Sequence, residues 1–353
     1  MFPGLYYFYK LFTLLYMLTR RLISSALLPL IFSGLCSCSP GEKYDSSKPA
    51  VGLVFDVGGR GDKSFNDSAY NGIERAQKDF KIPIDYIEPG EGADKESALR
   101  QMASGRYGLI FGTGFLFTDD INTVAGDFPA KKFACIDYAI DPAKTIPPNV
   151  LAIKFKEEEG SFLVGAIAAL TTKTNAIGFV GGMDIPLIHK FEAGYRAGAL
   201  YVNPKCRVLI GYAGVTGEAF KNPAKGKEIA LSQIGKGADV IFHASGSTGL
   251  GVFEAARDKH IYAIGVDSDQ YAEAPGYILT SMIKMVDISV YKTIQNYLNN
   301  TFKGGMQEFG LAEDGVGYIY DKNNKDLIKP EVIKKVEELK KLIIAGKIKV
   351  PNK

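Results

Sequence analysis

From Val51 onward the chain alternates short apolar runs with longer stretches of helical periodicity. The runs fall at 51–57, 84–88, 108–112, 132–138, 150–155, 176–181, 207–213, 239–244 and 261–266. Between them, at 67–80, 95–104, 158–171, 187–201, 224–235 and 249–258, Ala, Leu, Ile and Gly recur near helical spacing. Near-continuous apolar strands separated by helices predict parallel sheets covered on both faces. About ten strands exceed what one ordinary open sheet of this kind uses. The expected fold class is therefore α/β, with two doubly wound Rossmann-like lobes joined by crossing hinge strands. The 353 residues are enough for two such lobes.

Pro147-Pro148 put the first crossing near 149–159, and a Pro-Gly turn before the run 277–282 puts a second near 276–285. The lobes are read as residues 49–152 plus 282–312, and residues 153–281 plus 313–353. A last helix, from Pro330 to Ala345, carries Val332, Ile333, Val336, Leu339, Leu342 and Ile343 at helical spacing and can pack on either lobe. In open α/β sheets, ligands bind beyond the carboxyl ends of the strands. Two such edges facing one another make a cleft that can close like a jaw.

The N-terminus reads as an export signal. Arg20 and Arg21 precede an apolar stretch, Leu22 to Leu35, that is short for a membrane span. It ends in Leu35-Cys36-Ser37-Cys38, which resembles a lipoprotein cleavage box with Cys38 as the acylated residue. Ser37 is the small residue such a box needs; Leu35, before Cys36, is not. The signal is assigned to residues 1–37, and Met17 makes a more conventional start than Met1. Residues 38–48 are polar, rich in turn formers, and read as a lipid-anchored tether. The remaining thiols, Cys135 and Cys206, lie in or beside apolar runs and read as small buried hydrophobes.

Composition narrows the function. The net charge is only +3, without a basic stripe interleaved with aromatics, so no nucleic-acid partner is expected. The three histidines and four cysteines give no metal-ligand spacing, and no phosphate-binding Gly-rich loop ending in Lys-Ser/Thr occurs. No cofactor and no metal are expected. Trp is absent, so an aromatic clamp must use Phe or Tyr.

Candidate ligand-binding residues stand where the strands end. The first strand runs into Asp56-Val57-Gly58-Gly59-Arg60-Gly61-Asp62-Lys63-Ser64-Phe65-Asn66. Asp56 can accept hydrogen bonds from a ligand, and Ser64 or Asn66 can cap the next helix. Phe65 is either a staple against that helix or a stacking platform for a ligand ring. Asp137 is a second strand-tip carboxylate. With Asp56 it could form an acid/base pair, but no nucleophile accompanies the two, so binding is favoured. In the second lobe, Phe191 is either core or the opposing platform. Gly246 lies in a small-residue loop that opens a helix and leaves N–H groups free. Asp267 ends a strand. Lys284 ends the crossing strand, where a charged hydrogen bond to ligand hydroxyls is favoured over a Schiff base. Aromatic platforms with carboxylates at one end and sugar-type contacts at the other suit a nucleoside. The carboxylates disfavour a phosphate.

The stretches Asp56 to Asn66, Ala134 to Tyr138, Phe191 to Gly198, His243 to Gly249, Ile264 to Gln270 and Ser281 to Lys284 resemble the basic membrane protein family. The resemblance runs from residue 49 to the end and is strongest to the purine nucleoside receptors of that family. These are lipoproteins of the type I periplasmic binding protein fold that serve ABC importers. The resemblance implies a purine base stacked between Phe65 and Phe191, met by Asn66 and Asp137 with Asp56 nearby. It implies ribose hydroxyls held by Gly246, Asp267 and Lys284. The implied protein is a non-enzymatic, envelope-anchored binder of inosine, guanosine or adenosine on the periplasmic face, with an ABC permease as partner. The alternatives are a surface adhesin, for which Arg60-Gly61-Asp62 is the only signal, a structural lipoprotein, or a binder of another small sugar-containing ligand.

Overall fold

The computed structural model describes residues 47–89 and 95–353. The signal, Cys36, Cys38 and most of the tether lie outside them. The chain builds a first sheet from β1 (Ala50–Val54), β2 (Ile84–Ile87), β3 (Tyr107–Thr113), β4 (Lys132–Ile136) and β5 (Val150–Phe155). These alternate with helices α1 (Phe65–Phe80), α2 (Lys95–Ser104) and α3 (Thr118–Asp127). It then crosses to α4 (Glu157–Thr171) and a second sheet of β6 (Ala176–Met183), β7 (Arg207–Gly214), β8 (Val240–Ala244), β9 (Tyr262–Asp267) and β10 (Ile278–Lys284). Helices α5 (Pro186–Val202), α6 (Pro223–Gly235) and α7 (Gly249–Lys259) connect these strands.

After Lys284 the chain returns through α8 (Val286–Leu298), which packs on α1, to β11 (Gly305–Phe309) beside β5. It crosses a third time to β12 (Val316–Tyr318) beside β10 and ends in α9 (Pro330–Ile344), packed on α4. The strand orders are β11-β5-β4-β3-β1-β2 and β12-β10-β9-β8-β6-β7. The second order repeats the first with β6 to β10 in place of β1 to β5. Every pairing is parallel except that of β12, which is antiparallel to β10.

The expected alternation is therefore present. Two strands and two helices go beyond it. β11 reads Gly-Met-Gln-Glu-Phe, with an exposed middle, and β12 has three residues, so neither makes an apolar run. Residues of α3 and α8 had no helical stretch assigned to them from the sequence.

The two sheets place matching features at matching points. Asp137 follows β4 and Asp267 ends β9, the strands that correspond, and both have left-handed backbones with φ of 61° and 66°. For a residue with a side chain this is an uncommon conformation, one that Asp adopts more readily than most. The interface between α4 and α5 is unusually close. A Cβ added at Gly165 would lie 2.1 Å from the Tyr195 carbonyl oxygen, and one at Gly198 1.9 Å from that of Phe162. These glycines let the two helix backbones touch, which brings the start of α4 against Lys190 of α5. Among the described residues no helix is long and apolar enough to cross a membrane.

Candidate functional site

The loop after β1 is organised by a residue the sequence reading passed over. Asp62 is buried, and its Oδ1 accepts from the N–H of Ser64 at 2.9 Å and of Asp67 at 3.1 Å. Its Oδ2 accepts from the Asn66 N–H at 2.8 Å and the Asn66 amide at 3.1 Å. Asp62 thus satisfies the orphan donors at the start of α1. The expectation that Ser64 or Asn66 caps this helix is corrected: Ser64 stands at the N-cap, but its side chain makes no cap bond. Asn66 Oδ1 instead accepts from the Asp56 N–H at 3.1 Å. The burial of Asp62 also removes Arg60-Gly61-Asp62 as an adhesion triplet. The Arg60 guanidinium lies over the Tyr70 ring, 3.7 Å from its centroid.

Across the cleft, the Ser64 hydroxyl donates to Asp267 Oδ2, and Gln270 Nε2 donates to the Lys63 carbonyl at 2.9 Å. Gln270 is itself fixed, since its Oε1 accepts from the Val266 N–H at 2.7 Å and lies 3.1 Å from His243 Nε2. Burial holds His243 well below its ordinary range, at about 4, so its ring is neutral. These contacts join the start of α1 to the end of β9 and hold the two lobes closed on one another.

Between the lobes lies a small cavity of about 70 Å³. Asp56, Phe65, Asn66, Asp137, Phe191, Gly246, Asp267 and Lys284, all singled out from the sequence, line it together. Val57, Phe115, Leu187 and Phe220 add apolar wall. Gly114, with φ of 104°, is needed beside Asp56, because a Cβ there would lie 2.1 Å from Asp56 Oδ2.

Lys284 is the centre of the site. Its side chain is 2% exposed, and Nζ donates to Asp137 Oδ2 at 2.6 Å and lies 3.1 Å from Glu157 Oε1. Nζ is 5.1 Å from the centroid of Phe65 and 5.6 Å from that of Phe191, one ring from each lobe. Burial works against the ammonium, but Asp137, Glu157 and Asp267 more than compensate and raise it above the usual lysine range. Paired with two carboxylates, Nζ stands as a charged hydrogen-bond donor.

The carboxylates differ. Burial pushes Asp56 and Asp267 up to about 7, and it raises Asp137 despite Lys284. Glu157 is also buried, but Lys284 and Lys190 hold it below its ordinary range. Asp137 Oδ1 is buried without a hydrogen-bond partner, whereas its other oxygen carries Lys284.

Phe191 has two roles. It lines the cavity, but it is only 3% exposed and packs on Phe242 with centroids 6.5 Å apart. The choice between core and platform is therefore not exclusive. Phe65 is half-buried; it lines the cavity and also packs against the core. Sequence reasoning missed Asp62, Glu157, Lys190 and Gln270, and read Ser64 only as a helix cap. Glu157 opens a run of three acids at a helix start, which reads as a solvated first turn complementing the helix dipole. Its burial comes from the α4–α5 contact, which no local pattern announces. Cys135 and Cys206 are free and buried, as their settings suggested. Among the described residues no group of His, Cys, Asp or Glu could hold a metal ion.

Comparison with known proteins matches residues 50–353 to the family described as ABC transporter substrate-binding protein PnrA-like (Bmp). Basic membrane protein A1 of Borrelia garinii subsp. bavariensis is 37% identical over 328 residues, covering 89% of this chain and 92% of that protein. An uncharacterized lipoprotein of Pyrococcus abyssi is 37% identical over 310 residues, covering 84% of this chain and 75% of that protein. The crystal structure of an ABC transporter solute-binding protein from Aeropyrum pernix K1 superposes with a TM-score of 0.79 at 31% identity, covering 87% of this chain and 94% of that one.

Proposed function

The chain belongs to the PnrA-like (Bmp) family of ABC transporter substrate-binding proteins, which bind solutes and are not enzymes, and from that premise we propose that its ligand is a purine nucleoside. One observation carries the reading. The cavity sets a phenylalanine from each lobe beside a buried polar row in which Asp137 Oδ1 has no partner. A flat heterocycle between Phe65 and Phe191 gains stacking on both faces. Asp137, with Asn66 and Asp56, meets the base edge. Gly246, Asp267 and Lys284 meet the ribose. The one buried cation that lines the cavity, Lys284, is already shared by Asp137 and Glu157, so a phosphate monoester would enter against carboxylates with no cation to receive it. Lys284 touches Asp137, so the base and ribose contacts adjoin rather than lie at opposite ends of the ligand. Inosine, guanosine and adenosine are the candidate ligands, and an ABC permease is the partner that receives them.

Denaturing the purified protein and identifying the released small molecule by mass spectrometry tests this. A purine nucleoside is the expected result. Release of a free sugar, or of a nucleotide, would replace it with the reading of a binder of another small sugar-containing ligand.

Anchoring is part of the proposal. The charge-then-apolar leader, the box ending at Cys38 and the lipoprotein name of the Pyrococcus relative all support an acylated Cys38 that holds the binding unit at the periplasmic face of a bacterial envelope membrane. Cys38→Ser should abolish incorporation of labelled palmitate and move the protein to the soluble fraction. Labelling that persists in this variant would assign the lipid to Cys36.

A further inference from the structure

We propose that Glu157, which does not line the cavity, is a positioning residue: it shares Lys284 with Asp137 and thereby leaves Asp137 one oxygen for the ligand. This rests on the nucleoside reading and adds a determinant of which purine is preferred. Glu157 is the first residue of α4, directly after the crossing from β5, and Lys284 is the last of β10, directly before the return crossing. Their side chains are 1% and 2% exposed and 3.1 Å apart, so the pair ties the two crossing segments together. The other Glu157 oxygen accepts from Lys190, which also donates to the Phe155 carbonyl and lies 3.3 Å from Glu158. Glu157 is therefore fixed from the α5 side and cannot follow Lys284 into the cavity.

An ammonium has three donors, and a lone carboxylate facing it presents two oxygens. Asp137, Glu157 and Asp267 are the carboxylates that act on Lys284. With Glu157 charged, the ammonium is drawn to one side of Asp137, bonding Oδ2 and leaving Oδ1 unpartnered. With Glu157 neutral, Asp137 becomes the dominant counter-charge, and the ammonium moves to bridge both of its oxygens. The acceptor offered to the ligand is then lost. Guanine and hypoxanthine carry a ring N–H that needs this acceptor, and adenine does not. Glu157 thus sets the preference for 6-oxopurines from outside the cavity.

The test compares inosine and adenosine affinities, by calorimetry, in the full chain and in Glu157→Gln, with thermal melting of each. The expected result is a drop in the inosine-to-adenosine affinity ratio of about tenfold, within the usual range for coupled buried neighbours. Glu157→Asp, which keeps the charge at shorter reach, should lower the ratio by a smaller factor, and it supplies the reading if the Gln variant does not fold. An unchanged ratio, whether both affinities hold or both fall together, would overturn the inference. Absence of nucleoside binding by the wild-type chain would overturn the ligand reading instead, so the two failures are distinct.

Discussion

Replacing Lys284 with methionine is expected to abolish nucleoside binding and to cost the ligand-free fold about 3–5 kcal/mol, the penalty for leaving buried charges uncompensated. Methionine fills nearly the same volume, so cavity formation contributes little. What is lost is the counter-charge of Asp137 at 2.6 Å and Glu157 at 3.1 Å, both nearly inaccessible to water. Glu157 retains Lys190, but Asp137 retains no direct ion pair within the site. Asp137 would take up a proton to relieve the charge, and a protonated carboxyl offers the ligand a different hydrogen-bonding face. Urea denaturation reads the stability, and calorimetry reads the binding. The double variant Lys284→Met with Asp137→Asn removes charges of both signs and should recover part of the lost stability without recovering binding. A single variant that unfolds at the wild-type midpoint would show that the buried network contributes nothing to the fold.

The aromatic pair should lose affinity alike and stability unequally. Each base–aromatic stack is worth roughly 1–3 kcal/mol on alanine substitution, so Phe65→Ala and Phe191→Ala should each weaken nucleoside binding by one to two powers of ten. Read as ligand platforms alone, both rings are expected to be truncated with little loss of fold stability. The structure changes that for Phe191, which belongs to the main core cluster and packs on Phe242. Its truncation should also cost about 3–5 kcal/mol of stability, as for other buried Phe→Ala changes. Phe65, half-buried at the start of α1, should cost clearly less. Denaturation midpoints and affinities measured on the same two proteins check both halves. Equal stability loss would mean that Phe65 is as much a core residue as Phe191.

The strand-tip logic explains why so much of the site was legible. An apolar run that stops at Asp56, Asp137 or Asp267 marks the carboxyl end of a parallel strand, and that is where two facing sheets put their ligand. Asp56, Asp137, Gly246, Asp267 and Lys284, chosen on that basis, line one cavity together with the aromatic candidates Phe65 and Phe191 and with Asn66, which the family resemblance supplied. What stayed hidden depends on contacts between distant parts of the chain. The bond from Lys284 to Asp137 spans 147 residues, and that from Ser64 to Asp267 spans 203. Neither has a local signature. Glu157 looks like the outer turn of a helix until the glycines of α4 and α5 bring it under Lys190. Asp62 lies in a glycine-rich loop where Arg-Gly-Asp is the more conspicuous pattern, although an Asp shortly before a helix is an ordinary capping residue. The strand β11 is polar because it lies at a sheet edge, and edge strands need no apolar alternation.

The cleft as proposed recognises a purine nucleoside and rejects its phosphates. Titration of the purified protein with inosine, guanosine and adenosine, and with the corresponding 5′-monophosphates, measures it directly. The expected result is saturable one-to-one binding of at least one of the nucleosides, and at least a hundredfold weaker binding of its monophosphate, the order of loss for an unpaired buried charge. Monophosphates that bind as tightly as the nucleosides, or more tightly, would contradict it.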